Sequence, residues 1–212
     1  VNPALPLLIG RSSSHFTRVV RIVAAELGVD LAFQPVYDLG SRDSADYGGN
    51  PAMKLPVLRL GSETVFGTEN ICRTLAERFP GEVRILWTEQ LPGPAARNAQ
   101  EMVWHAMAAQ VQLVFGTQAA GLPADNLYFV KAAEGMAQVL AWLDAHVDEV
   151  LAGLPPRQLS LLEITLFCLL EHLDFRPTVP LLPYVSLASH VQRLGQRFSA
   201  RHTAYHFDRP PG

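Results

Sequence analysis

Apolar positions in the first eighty residues fall into short runs and short stripes. Leu7-Leu8-Ile9 is a compact apolar run closed by Gly10, the pattern of a buried strand. Past a serine cluster, Phe16, Val19, Val20, Val23 and Leu27 recur at three- and four-residue spacing, which predicts a helix ended by Gly28. Residues 31–36 read as a second strand, and the polar, Gly-rich stretch 38–50 as a loop with at most an irregular helix. Two short apolar runs, 57–60 and 64–66, flank Gly61-Ser62-Glu63, a hairpin signal. Ile71, Leu75 and Phe79 then recur at four-residue intervals in a helix over 68–79 that stops before Pro80-Gly81. The order β-α-β followed by ββ-α predicts a four-stranded mixed sheet with helices.

The pattern changes after that. Pro80, Gly81, Pro92, Gly93 and Pro94 mark a linker, and everything beyond it has helical periodicity. Residues 95–115 and 126–151 are long candidates, the second with Val130, Ala133, Ala137, Leu140, Val147 and Leu151 on one stripe. Pro155-Pro156 interrupts the pattern before a helix over 161–173, apolar enough to be buried nearly all round. A last helix is expected over about 187–198. The chain thus divides into an α/β domain at 4–81, a linker at 82–94 and an all-α domain at 95–208.

Composition narrows the class. Of 212 residues, 49% are hydrophobic and 17% charged, enough to bury a core and too apolar for wholesale disorder. The net charge of -3 and scattered basic residues offer no footprint for nucleic acid or an anionic membrane surface. No apolar stretch is long enough to span a bilayer, and no secretory signal pattern opens the sequence. A cytoplasmic protein is expected. Cys72 and Cys168 lie in apolar helical patterns without metal-ligand spacing, so both read as small buried hydrophobes, and no metal is expected.

Four segments, in order, carry a resemblance. Ser14-His15-Phe16-Thr17-Arg18-Val19-Val20-Arg21-Ile22 is similar to the segment joining strand one to helix one in the cytosolic glutathione S-transferase superfamily. Asn50-Pro51-Ala52-Met53-Lys54-Leu55-Pro56-Val57-Leu58 resembles that family's N-P-x-G-K-V-P-x-L signature. Residues 65–75 fit its L-x-E-S-x-A-I-x-x-Y-L pattern in register. Ser160-Leu161-Leu162-Glu163-Ile164 looks like the S-x-A-D-I capping box of a buried helix in the second domain. The resemblance implies a thioredoxin-like N-terminal domain, an all-α C-terminal domain, glutathione as co-substrate and a homodimer.

It also implies roles. Ser14 stands at the place of the catalytic serine, whose hydroxyl would stabilise the glutathione thiolate; Ser12 and Ser13 compete for that role. Pro56 is expected cis, turning Leu55 N–H and C=O outward to pair with the cysteinyl backbone. Lys54 falls where a Lys or Gln contacts the glycyl carboxylate. Thr68 falls where a serine binds the γ-glutamyl carboxylate at the start of a helix. At that site Gly67 replaces the usual acidic partner of the γ-glutamyl ammonium, and Met53 replaces the usual glycine of the second motif. Met102, Trp104, His105 and Met107 offer surface to an apolar electrophile, and Tyr205 and Phe207 either close that pocket or pack. The implied activity is activation of the glutathione thiol for attack on a small apolar electrophile. The alternative is a non-catalytic assembly module. A thiol oxidoreductase of this family would carry Cys where Ser14 stands.

Overall fold

The computed structural model describes residues 5–181 and 183–210, so the expected domain start at residue 4 lies outside the described residues. The chain forms two compact units, one running through Val83 and rejoined by the segment from Arg197 onward, the other spanning Arg84–Gln196.

In the first unit β1 (Leu7–Gly10), α1 (His15–Glu26), β2 (Ala32–Pro35), β3 (Val57–Leu60), β4 (Glu63–Phe66) and α2 (Thr68–Arg78) follow one another. The sheet order is β2-β1-β3-β4, with β1 and β2 parallel and the other pairs antiparallel, the mixed sheet expected. Period-two alternation sets its two faces. Ile9, Val36 and Val57 form one buried cluster, joined by Leu7 and Leu55. Leu8 and Leu58, paired across β1 and β3, point to the opposite face and are fully buried. Helices α1 and α2 pack side by side, burying Val19, Val20, Ile22 and Val23 from one and Ile71, Cys72 and Leu75 from the other. Burying such a side chain stabilises by about 1.5–3 kcal/mol.

The second unit holds β5 (Ile85–Leu86), α3 (Gly93–Leu113), a π-helical stretch at Val114–Ala119, α4 (Leu127–Ala152), β6 (Leu159–Ser160), α5 (Leu161–Phe175) and α6 (Val185–Leu194). Helix α5 is nearly all buried, Leu161, Ile164, Leu166, Cys168 and Leu169 among its core residues. Its start is the expected capping box: Ser160 Oγ accepts the Glu163 N–H, and Glu163 Oε2 accepts the Ser160 N–H.

Three boundaries differ from expectation. The linker is partly ordered, because β5 pairs in parallel with β6 and Arg84 N–H donates to Gln158 Oε1. The last expected helix is two: α6 ends at Leu194 with Gly195 as its cap, and α7 (Phe198–His202) follows. Moreover, α7 belongs to the first unit, so residues 197–208 do not complete the helical domain as expected. The cause is local chemistry: Arg197 binds Glu26 through two hydrogen bonds of 2.7 and 2.6 Å, and Ser199 Oγ donates to the same carboxylate.

Candidate functional site

Strand register assembles one end of the sheet. Ile9 is opposite Val57, and Val57 is opposite Phe66. The β1–α1 loop (residues 11–14), the Leu55-Pro56 step and the Gly67-Thr68 junction therefore leave three neighbouring strands at the same end. Ser14, Leu55, Pro56, Gly67 and Thr68 are brought to one sheet edge, with Lys54 one residue beyond it and exposed.

The β1–α1 loop is held from several sides. Gly10 is needed there, since a Cβ would fall 2.6 Å from Thr17 Cγ2. Ser14 N–H donates to Arg11 O at 3.1 Å, and Arg11 N–H to Thr17 Oγ1 at 3.3 Å. Ser12 and Ser13 are buried at 3% and 6% exposure, whereas Ser14 is half-buried. Ser14 is also the N-cap of α1, its Oγ accepting the Thr17 N–H at 3.3 Å. That bond uses an oxygen lone pair and leaves the hydroxyl proton to donate elsewhere.

The second loop is built around Asn50, which is buried. Its Oδ1 accepts the Ala52 N–H, and its Nδ2 donates to Lys54 O at 2.8 Å. The loop passes through Met53 at φ 50°, the left-handed region that favours glycine, and the Leu55–Pro56 peptide is cis, as expected. In the sequence Asn50 is one letter of a motif; in the fold it pins the carbonyl that precedes Leu55.

At the third element Gly67 has φ 87° and caps α2 without any side-chain bond. A side chain fits there sterically, the nearest atom to a Cβ being 4.0 Å away, but any L-residue would be strained. Thr68 is thus the first helical residue and buried, not the cap. The first intrahelical bond is Ile71 N–H to Gly67 O, so the N–H groups of residues 68–70 face the positive end of the helix. Glu69 is turned along the helix, where Arg73 holds it at 2.9 Å.

Two further groups gave no sequence signal. Arg18 is 2% exposed and donates to Ala200 O at 3.1 Å, with its guanidinium carbon 4.3 Å from the Tyr205 ring centroid. Asp208 Oδ2 accepts the Ser12 N–H at 2.8 Å. Both interactions join residues more than 180 positions apart, a distance over which single-chain periodicity is silent. Tyr205 therefore packs within the first unit. In α3 of the second unit Met107 is fully buried and belongs to the core, Met102 and Trp104 are half-buried, and His105 is exposed. Among the described residues no cluster of three or more His, Cys, Asp or Glu side chains could hold a metal ion. No helix among them is long and apolar enough to cross a membrane.

Residues 8–83 match the family described as glutathione S-transferase, N-terminal domain. Solved structures share the fold over nearly the whole chain. A glutathione transferase family member from Pseudomonas fluorescens Pf-5 with bound glutathione is 24% identical, covers 98% of this chain and 100% of its own, and has a TM-score of 0.75. A glutathione S-transferase from Methylobacillus flagellatus KT with glutathione bound is 24% identical, over 94% of this chain and 99% of its own, at a TM-score of 0.74. A third, from Methylobacterium radiotolerans JCM 2831 in complex with glutathione sulfonate, is 20% identical over 99% of both chains, at a TM-score of 0.72. No curated protein sequence matches the chain.

Proposed function

We propose that this chain, whose residues 8–83 match the glutathione S-transferase N-terminal domain family, binds glutathione and activates the thiol for attack on a small apolar electrophile. The observation that carries the reading is the convergence of the Ser14 loop, the Leu55-Pro56 step and the start of α2 at one sheet edge.

Glutathione needs a backbone partner for its cysteinyl segment, donors for two carboxylates and a group that stabilises a thiolate. Leu55 is the backbone partner, adding a short extended rung to the sheet end. The N–H groups and hydroxyl at Thr68 take the γ-glutamyl carboxylate, and Lys54 takes the glycyl carboxylate. Ser14 donates its hydroxyl proton to the sulfur. A free thiol titrates at about 8.5, so lowering it by about two units requires roughly 2.7 kcal/mol of preference for the thiolate. A hydroxyl donating to a charged partner supplies about 1.5–3 kcal/mol. The positive end of α1 adds roughly 0.3–1 kcal/mol. Those contributions suffice.

Gly67 leaves the γ-glutamyl ammonium without the acidic partner usual in the family. The missing charge-assisted bond lowers affinity by about ten- to hundredfold. The family resemblance further implies a cytoplasmic homodimer. Titration calorimetry with reduced glutathione tests the reading: binding in the millimolar range or tighter, at about −4 kcal/mol or better, is expected. No heat and no retention on immobilised glutathione would instead favour a non-catalytic assembly module.

A further inference from the structure

The Ser14 loop is tied to a segment that lies almost two hundred residues downstream. Ser12 is nearly inaccessible, and its N–H points to Asp208 Oδ2 at 2.8 Å; the Asp208 side chain is 9% exposed. The approach of this carboxylate is set by a strap with its own anchors. Thr203 Oγ1 accepts from Arg18 Nε at 3.4 Å, Ala200 O accepts from Arg18 Nη2, and the Tyr205 ring lies against the Arg18 guanidinium. Burial lowers the Arg21 pKa, and the Asp208 charge offsets part of that. Upstream, Glu26 fixes Arg197 and Ser199. Arg18 and Glu26, which hold the strap, both sit on α1, the helix that Ser14 caps.

We propose that Asp208 is a positioning residue for the glutathione thiol: by holding the Ser12 N–H it fixes the loop that aims the Ser14 hydroxyl. This rests on the glutathione reading. The logic is geometric. Residues 11–14 form one turn closed by the Ser14 N–H to Arg11 O bond. Rotation of the Ser12 peptide would swing the turn and with it the Ser14 Oγ. A hydroxyl aimed at a thiolate is worth its full value only when the bond is short and straight.

The test compares wild type, Asp208→Ala and Asp208→Asn with reduced glutathione as the probe, reading bound-thiolate ultraviolet absorbance against pH. Asp208→Ala is expected to raise the bound thiol pKa by about one unit. Affinity at high pH should change by less than about threefold, because the carboxylate contacts of glutathione lie elsewhere. Asp208→Asn keeps a carbonyl acceptor for the Ser12 N–H and is expected to restore most of the shift. Hydrogen exchange at the Ser12 amide should quicken in the Ala variant and not in the Asn variant. An unchanged thiol pKa in Asp208→Ala, with faster Ser12 exchange, overturns the proposal and leaves the strap purely structural. If Asp208→Ala does not fold, Tyr205→Leu loosens the same strap, and its thiol pKa is read against the same two outcomes. Absence of any thiolate band in wild type is a different failure: it refutes glutathione activation itself, and the positioning role with it.

Discussion

Ser14 caps α1 and, on the proposed reading, also serves the glutathione thiol, so one substitution removes both and two readouts tell them apart. Its oxygen accepts the Thr17 N–H while its proton remains available. Ser14→Ala should raise the bound thiol pKa by about 1–2 units and cost about 0.5–2 kcal/mol of stability as a lost cap. Thiolate absorbance against pH, paired with denaturant unfolding, measures both. Ser12→Ala and Ser13→Ala should leave the thiol curve in place, since both residues are buried whereas Ser14 is half-buried. Thr68 is simpler, because Gly67 rather than Thr68 caps α2. Thr68→Ala should weaken glutathione binding by about 1–2 kcal/mol and leave unfolding stability nearly unchanged, which calorimetry and urea titration distinguish. Met53 lies at φ 50°, where a side chain costs about 1–2 kcal/mol. Met53→Gly recovers part of that and loses part to the freer unfolded chain, so a net gain of about 0.5–1 kcal/mol is expected in the urea midpoint. Position 53 departs from the family motif, and its positive φ is the reason a glycine is usual there.

At the scale of elements, the strands and most helices were legible because each buries a face whose period shows in the sequence. Helix α4 shows the limit of that reading. Its core face runs through Phe129, Met136, Leu140, Leu143 and Val147, while the expected Val130, Ala133 and Ala137 are only half-buried. A long helix rich in alanine and valine offers two overlapping apolar stripes, and only the neighbouring helices choose between them. The α1–α7 clamp was illegible for another reason: Glu26, Arg197 and Ser199 are polar residues far apart in sequence. Burial pushes the Glu26 carboxyl up, but the Arg197 and Ser199 hydrogen bonds outweigh it and hold it below its ordinary 4.5. Glu163, bound by Arg157 and Ser160, is lowered by the same balance. A carboxylate with a depressed native pKa stabilises fully above its unfolded value and loses that contribution as pH falls through the native one. Burial also lowers His190 below 6.5, so the unfolded chain takes up that proton first and stability declines as pH drops below 6.5. All three act in one direction. Stability should be flat near neutrality and fall on acidification, in a two-stage urea-midpoint profile. Glu26→Gln should cost about 1–3 kcal/mol at pH 7 and flatten the acidic stage, and an unchanged acidic stage would remove Glu26 from the account.

For the whole molecule, the sheet order, the helical second half and the sheet-edge constellation followed from short-range patterns and from four motifs in series. What did not follow was the return of the chain from Arg197 onward to the first unit. The homodimer implied by the resemblance is checked by light scattering, which should give about twice the single-chain 23.3 kDa at micromolar concentration; a single-chain mass would exclude it. The discontinuity of the first unit bears on how the protein is made. A ribosome releases the sheet early, then the whole of Arg84–Gln196, and only afterwards the strap that carries Tyr205 and Asp208. The contiguous helical unit therefore has all its residues in hand while the first unit still awaits Thr203, Tyr205 and the Ala200 carbonyl beside Arg18. Within this stretch, vectorial synthesis thus begins the sheet-bearing unit before the helical one and completes it after.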